Sequence, residues 1–148
     1  MKKIIYSLAF FAIIIHFHCT KEDQSVTDDK IIQEYIKKNN LTAIKHESGL
    51  YYVIKTEGTG PNPTLASKVT VHYKGYLTNG TQFDGTTANP ISFQLSGLIT
   101  GWQIGIPLIK KGGDIKLILP SVLAYGARGS GSIGPNEVLI FDIQLISF

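Results

Sequence analysis

The sequence predicts an α+β domain in which several antiparallel strands bury one face of a sheet against a single short helix. Two observations carry this reading. Beyond Ser48 apolar residues recur at period two in successive segments, whereas helical spacing appears once, between Leu98 and Ile106. Fifteen glycines and six prolines in 148 residues punctuate the chain with turns, which suits short strands better than long helices. An apolar fraction of 43% with a net charge of only +3 is that of a folded domain, and the length suits one such domain with a short appendage.

The elements follow in order. Lys2 and Lys3 precede an uncharged apolar run over residues 4–15. That run is shorter than the about 20 residues a spanning helix needs and has the form of a secretory signal peptide, which assigns residues 1–18 to export. Cys19 follows, and then the composition turns polar. The sole cysteine of the chain excludes an internal disulfide and a structural zinc site. Its position resembles the cleavage and acylation site of bacterial lipoproteins, which makes Cys19 a candidate lipidation site and a route to membrane attachment. An ordinary unmodified cysteine is the alternative. Lys2 and Lys3 are two of the 14 basic residues, so without residues 1–18 the count is 12 bases against 11 acids, a net charge of +1. No electrostatic case for nucleic-acid binding survives that correction.

Residues 19–47 read as a polar linker carrying one short amphipathic helix over residues 28–40. Acids open that segment, Lys37 and Lys38 close it, two asparagines stop it, and Ile31, Ile32, Tyr35 and Ile36 share a face. The stripe packs on the domain or mediates weak self-association, and nothing catalytic sits on it; the plainer view is a spacer. The domain proper spans residues 48–148. Its first strand alternates Tyr51 and Val53 against Tyr52 and Ile54, and in the second Val69, Val71 and Tyr73 oppose Thr70, His72 and Lys74. Asn79-Gly80 marks a tight turn, a further strand runs over residues 91–95, and Ile99, Trp102 and Ile106 make the short helix, which Pro107 stops. Ile115, Leu117 and Leu119 alternate again, as do Leu139, Phe141, Ile143 and Leu145.

Most reactive constellations are absent. There is no Gly-Lys-Ser/Thr phosphate loop, no nucleophile elbow, no paired carboxylates and no cysteine-histidine pair, and His46 and His72 lack metal-ligand partners at suitable spacing. Neither a metal nor a cofactor is implied. What stands out instead is five aromatic residues, Tyr73, Phe83, Trp102, Tyr125 and Phe141, contributed by separate elements. They either fill a core, the commoner fate of inward aromatics, or line a concave apolar pocket.

Four blocks then carry a resemblance: VHYKGYLTNGTQFDG over 71–85, LITGWQIGIPLIKKGG over 98–113, LAYGARG over 123–129 and VLIFDIQL over 138–145. Together they resemble the FK506-binding-protein (FKBP) family of peptidyl-prolyl isomerases, and SGLYYVIKTEGTGPNP over 48–63 is similar to the opening strand and loop of bacterial members. The resemblance implies a twisted antiparallel sheet wrapped around one short helix, with a proline pocket between them. It implies catalytic positions at Asp84, Tyr125, Trp102 and Phe141 and substrate-binding positions at Tyr73, Phe83, Ile91, Leu98, Ile99 and Ile133. Trp102 is expected as the pocket floor, the Tyr125 hydroxyl and the Ile99 N–H as donors to substrate carbonyls, and Asp84 as a rim group that polarises or positions its surroundings. Ile91 stands where an aromatic residue often lines the pocket. The implied partners are proline-containing polypeptide clients and macrocyclic inhibitors.

Such a reaction needs no nucleophile. The peptide bond is held planar by resonance with a barrier of about 18–20 kcal/mol, and rotation breaks no covalent bond. An apolar site tolerates the twisted, less polar amide better than the hydrated planar one, and oriented donors add differential stabilisation. The expected activity is therefore peptidyl-prolyl cis-trans isomerisation during folding of exported proteins, in the cell envelope. The alternatives are a module that holds proline segments without turnover and a purely structural domain. Retention of both Asp84 and Tyr125 favours the isomerase.

Overall fold

The structure, a computed structural model, describes residues 21–148, with side chains from residue 24 onward. Residues 1–18, expected as an export segment, and Cys19 lie outside the described residues. Helix α1 (Lys21–Lys38) is followed by strands β1 (Ile44–Lys45), β2 (Tyr51–Thr56), β3 (Lys68–Leu77), β4 (Gln82–Gly85) and β5 (Ile91–Gln94). Helix α2 (Thr100–Gly105), β6 (Asp114–Leu119) and β7 (Leu139–Ser147) complete the chain. The strands form one antiparallel sheet in the order β1-β2-β6-β7-β3-β4, with β5 also paired to β3. This is the expected α+β architecture. The brief strand β1 was not foreseen, because two exposed residues carry no periodicity.

Alternation along β6 and β7 divides the interior in two. Ile115, Leu117 and Leu119 of β6 and Leu139, Phe141, Ile143 and Leu145 of β7 join Val69, Val71, Trp102 and Ile106 in a core between the sheet and α2. The helix comes unusually close to the strands because Gly101 and Gly105, one turn apart, face β6. A Cβ on Gly101 would lie 2.5 Å from Leu119 Cδ1, and one on Gly105 the same distance from Leu117 Cδ1. Pro107 does not end the structure there: the α-helix stops at Gly105 and the 3-10 turn Ile106–Leu108 carries the proline, whose missing N–H costs nothing at the start of a turn.

The opposite face of the sheet is covered by α1. Tyr51, Ile118, Val138 and Ile140 bury Ile32 completely, with Ile31, Tyr35 and Ile36 packed around them. The expected apolar stripe thus docks on the domain. Burying a side chain such as Ile32 contributes about 1.5–3 kcal/mol. By contrast, the exposed Lys45–Asp29 ion pair at 2.7 Å contributes at most about 1 kcal/mol. The helix is already formed at Lys21, ahead of the expected residue 28, so residues 21–27, expected as polar linker, are helical. Gln24 Nε2 donates to Asp28 Oδ1 one turn later at 2.8 Å, so the polar turn is tied to a residue that is itself buried. The two asparagines do stop it. Asn40 takes the left-handed conformation (φ 51°), and Leu41 N–H donates to Ile36 O at 3.0 Å while Asn40 N–H donates to Lys37 O, which is a Schellman closure.

Between α1 and the sheet sits a charged cluster. Lys116, 8% exposed, donates to Asp142 Oδ2 at 3.0 Å and to the Tyr76 hydroxyl, which in turn donates to Asp142 at 2.8 Å. Burial pulls the Lys116 ammonium below the usual lysine range. Burial also works to raise the Asp142 carboxyl, but hydrogen bonds from Lys55, Tyr76 and Lys116 outweigh it and hold the group below the usual carboxylate range.

Candidate active site

The aromatic residues converge. Trp102, on the first turn of α2, is 4% exposed and lies edge-to-face with Tyr73 of β3, Phe93 of β5 and Phe141 of β7. Ring centroids are 5.1 Å from Tyr73, 6.2 Å from Phe93 and 5.3 Å from Phe141. Phe83 of β4 stands edge-to-face on Phe141 at 5.6 Å. Such pairs contribute about 0.5–1.5 kcal/mol each beyond the area they bury, enough to fix ring orientations in a small cavity. Phe83 reaches this place because Gly75 lies beneath it: a Cβ at Gly75 would sit 2.6 Å from the Phe83 ring and 2.8 Å from that of Phe141.

The rings enclose a cavity of about 180 Å³ lined by Tyr73, Phe83, Asp84, Phe93, Leu98, Ile99, Trp102, Tyr125 and Phe141. Three other concavities among the described residues, of about 270, 260 and 410 Å³, are roomier, but their walls mix charged and polar residues with scattered apolar ones and none brings more than two aromatic rings together. The aromatic cavity is smaller than the about 300–1,000 Å³ of sites for drug-sized ligands, which suits one side chain and its flanking amide.

Polar groups stand at the mouth. The Tyr73 hydroxyl donates to Asp84 Oδ2 at 2.7 Å, and Asp84 Oδ1 accepts the Gly85 N–H at 2.8 Å. Burial first, and then the bond to Asp84, push the Tyr73 phenol well above the ordinary tyrosine range, so it stays a donor. Tyr125, 38% exposed, follows the 3-10 turn Ser121–Leu123 and has no side-chain hydrogen bond to the described residues. Ile99 caps α2, and its N–H has no backbone acceptor among the described residues. Trp102 Nε1 is the one buried side-chain donor among the described residues without a partner. No group of acids, histidines or cysteines among the described residues could hold a metal ion. His46 bonds Ser48 and His72 bonds Thr86, both in local structural roles.

Eight of the ten expected pocket positions line this cavity. Ile91 does not: it begins β5 opposite Val71 and is 44% exposed. Phe93, two residues on and hence on the same strand face, fills the space beside Trp102 instead. Period-two alternation through β5 was the signal that could have identified Phe93. Ile133 is 8% exposed and packs into the main core. Its reciprocal backbone bonds with Ser130, at 2.9 and 2.8 Å, close the loop after Arg128, so it anchors that loop from below.

Comparison with known proteins accords with this geometry. The family model described as FKBP-type peptidyl-prolyl cis-trans isomerase matches residues 60–146. The FKBP-type peptidyl-prolyl cis-trans isomerase FkpA of Aeromonas hydrophila is 41% identical over 130 residues, which is 85% of this chain and 48% of that protein. The chain thus spans about half the length of the curated relatives it matches. The crystal structure of FkpA from Escherichia coli superposes with a TM-score of 0.75 at 38% identity, covering 85% of this chain and 61% of that one. A peptidyl-prolyl cis-trans isomerase from Pseudomonas syringae pv. tomato superposes with a TM-score of 0.74 at 31% identity, covering 86% of this chain and 95% of that one. With the matched segment running from before β3 to the penultimate residue of β7, and so containing every wall of the aromatic cavity, the chain belongs to the FKBP-type peptidyl-prolyl cis-trans isomerase family.

Proposed function

We propose that this chain accelerates cis-trans rotation of X-Pro bonds in polypeptides folding outside the cytoplasm, with the aromatic cavity as its active site. The observation that carries the reading is a pair of free donors, the Tyr125 hydroxyl and the Ile99 N–H, at the mouth of a cavity walled by rings. The prolyl ring sits over Trp102, between Tyr73, Phe93 and Phe141, with Phe83 and Leu98 as side walls. The two donors take carbonyls on either side of the rotating bond and hold them while the amide twists. Uncatalysed isomerisation takes tens to hundreds of seconds, and a site that binds the twisted amide better than the planar one shortens that time without covalent chemistry. Asp84 contributes by holding Tyr73. An unpaired buried indole N–H at the floor supports the assignment, since a donor left unsatisfied costs about 1–3 kcal/mol and is tolerated mainly where function requires it.

The test is the isomerisation rate of a proline peptide with protein lacking residues 1–18. Acceleration that falls when Tyr125 or Trp102 is replaced supports the reading, and a rate no faster than buffer overturns it. Displacement of the peptide by a macrocyclic FKBP ligand tests the implied inhibitor class.

Residues 1–18 are assigned to export, residues 19–47 to a tether with α1, and residues 48–148 to the isomerase domain. The mature protein is held at the cell envelope by a lipid on Cys19. Among the described residues no helix is long and apolar enough to cross a membrane. Labelled fatty acid that enters the wild type but not Cys19→Ala supports the anchor, and equal incorporation into both refutes it.

A further inference from the structure

Helix α1 lies on the face of the sheet away from the cavity, yet one of its side chains reaches the segment that carries Tyr125. Asp28 is fully buried. Its Oδ2 accepts two hydrogen bonds from a residue 93 positions away, the Ser121 N–H at 2.8 Å and the Ser121 hydroxyl at 2.7 Å, while Oδ1 accepts Gln24 Nε2 at 2.8 Å. Ser121 is 1% exposed and opens the 3-10 turn Ser121–Leu123, which has no side-chain cap of its own because Pro120 precedes it. The Ser121 carbonyl accepts the N–H of Ala124, the neighbour of Tyr125, at 3.0 Å. A run of hydrogen bonds therefore leads from α1 to the backbone of Ala124, the residue before Tyr125. No side-chain hydrogen bond to the described residues holds Tyr125, so the place of its hydroxyl follows this backbone and the cavity wall it joins.

We propose that Asp28 is a positioning residue for the isomerase site, setting the place of the Tyr125 hydroxyl through Ser121 and making α1 part of the catalytic apparatus. This rests on the reaction assigned above. A carboxyl group taken fully out of water is costly unless its oxygens are satisfied, and here the donors that satisfy it are the ones at the head of the turn. A donor displaced by a fraction of an ångström loses much of its worth in a transition state, so the link has kinetic consequences without Asp28 touching substrate.

The experiment uses the full chain with Asp28→Ala, Asp28→Asn, Ser121→Ala and Tyr125→Phe, and the Asp28→Ala/Tyr125→Phe double variant. In proline-peptide isomerisation Asp28→Ala lowers kcat/KM roughly 3- to 10-fold, chiefly through kcat, and Asp28→Asn, which keeps an accepting oxygen, recovers most of it. In the Tyr125→Phe background the same change costs less than about 1.5-fold, because the group it positions is gone. Losses that multiply independently overturn the proposal. A second readout does not need turnover: ring resonances of carbon-13-labelled Tyr125 shift in Asp28→Ala while those of Phe93 and Phe141 stay in place. Unchanged Tyr125 resonances refute the positioning role even if the wild type is inactive, whereas an inactive wild type with shifted Tyr125 resonances overturns only the reaction. Ser121→Ala, which removes the hydroxyl donor and keeps the N–H, gives smaller changes of the same sign should Asp28→Ala fail to fold.

Discussion

The Tyr73 hydroxyl donates to Asp84 Oδ2 at 2.7 Å, and the remaining carboxylate oxygen is taken by the Gly85 N–H at 2.8 Å. Asp84 is thereby turned toward Tyr73, and under the proposed reaction its influence on a bound amide runs through that phenol. Removing a hydrogen bond to a charged group costs about 1.5–3 kcal/mol, so Asp84→Ala should lower kcat/KM about tenfold or more. Tyr73→Phe should do nearly as much, and the double variant little more than the weaker single one. Independent, multiplying losses in the peptide assay would show that the two act separately.

Trp102 is the sole tryptophan and the cavity floor, which makes its fluorescence a reporter of the site. Titration with a proline peptide is expected to change its emission in the wild type. In Phe141→Ala the edge-to-face contact at 5.3 Å is lost from a residue only 4% exposed, and stability should fall by about 3–5 kcal/mol in urea unfolding. A loss below about 1 kcal/mol would mean that the wall collapses easily, contrary to the packing described.

Gly101→Ala places a methyl group 2.5 Å from Leu119 Cδ1, in a core where Leu119 is fully buried. Overpacking of this kind costs about 1–3 kcal/mol despite the better helix propensity of alanine. The melting temperature should drop, and because α2 carries Trp102 and the Ile99 cap, KM should rise with it. An unchanged melting curve would show that the helix can retreat from β6.

Acid should act through the back of the sheet. The Asp142 and Asp29 carboxyls are both held below their ordinary value of 3.8, Asp29 first by the Lys45 hydrogen bond and Asp142 by Lys55, Tyr76 and Lys116 acting against burial. A folded-state pKa below the unfolded one contributes stability that is present above pH 3.8 and is lost as pH falls through the folded value. Unfolding free energy measured from pH 6 to pH 2 should therefore decline at the acid end, and less steeply in Asp142→Asn. Identical slopes for the two proteins would contradict the assignment.

Much of the site was legible in the chain. Tyr73, Phe83, Trp102, Tyr125 and Phe141 lie in motifs whose order and spacing carry the family resemblance, and all five line one cavity. Phe93 lies outside the four motifs, and the expected position Ile91 stands at the exposed start of the same strand. Ile133, expected beside substrate, packs into the main core, and a glycine-rich loop gives no local sign that one of its apolar residues is pinned beneath it.

Period-two alternation by itself determined the strands and their inward faces, since a pleated backbone sends alternate side chains to opposite sides whatever surrounds it. Helical spacing determined α2 and the apolar stripe of α1, and the paired asparagines determined where α1 ends. Only the tertiary structure decided where that stripe docks, that α1 is already helical at Lys21, and that Asp28 reaches Ser121 across 93 positions. Those features depend on which buried donors and acceptors meet once the sheet has closed. A buried carboxylate must find partners wherever the fold places them, and local pattern along the chain does not record that choice.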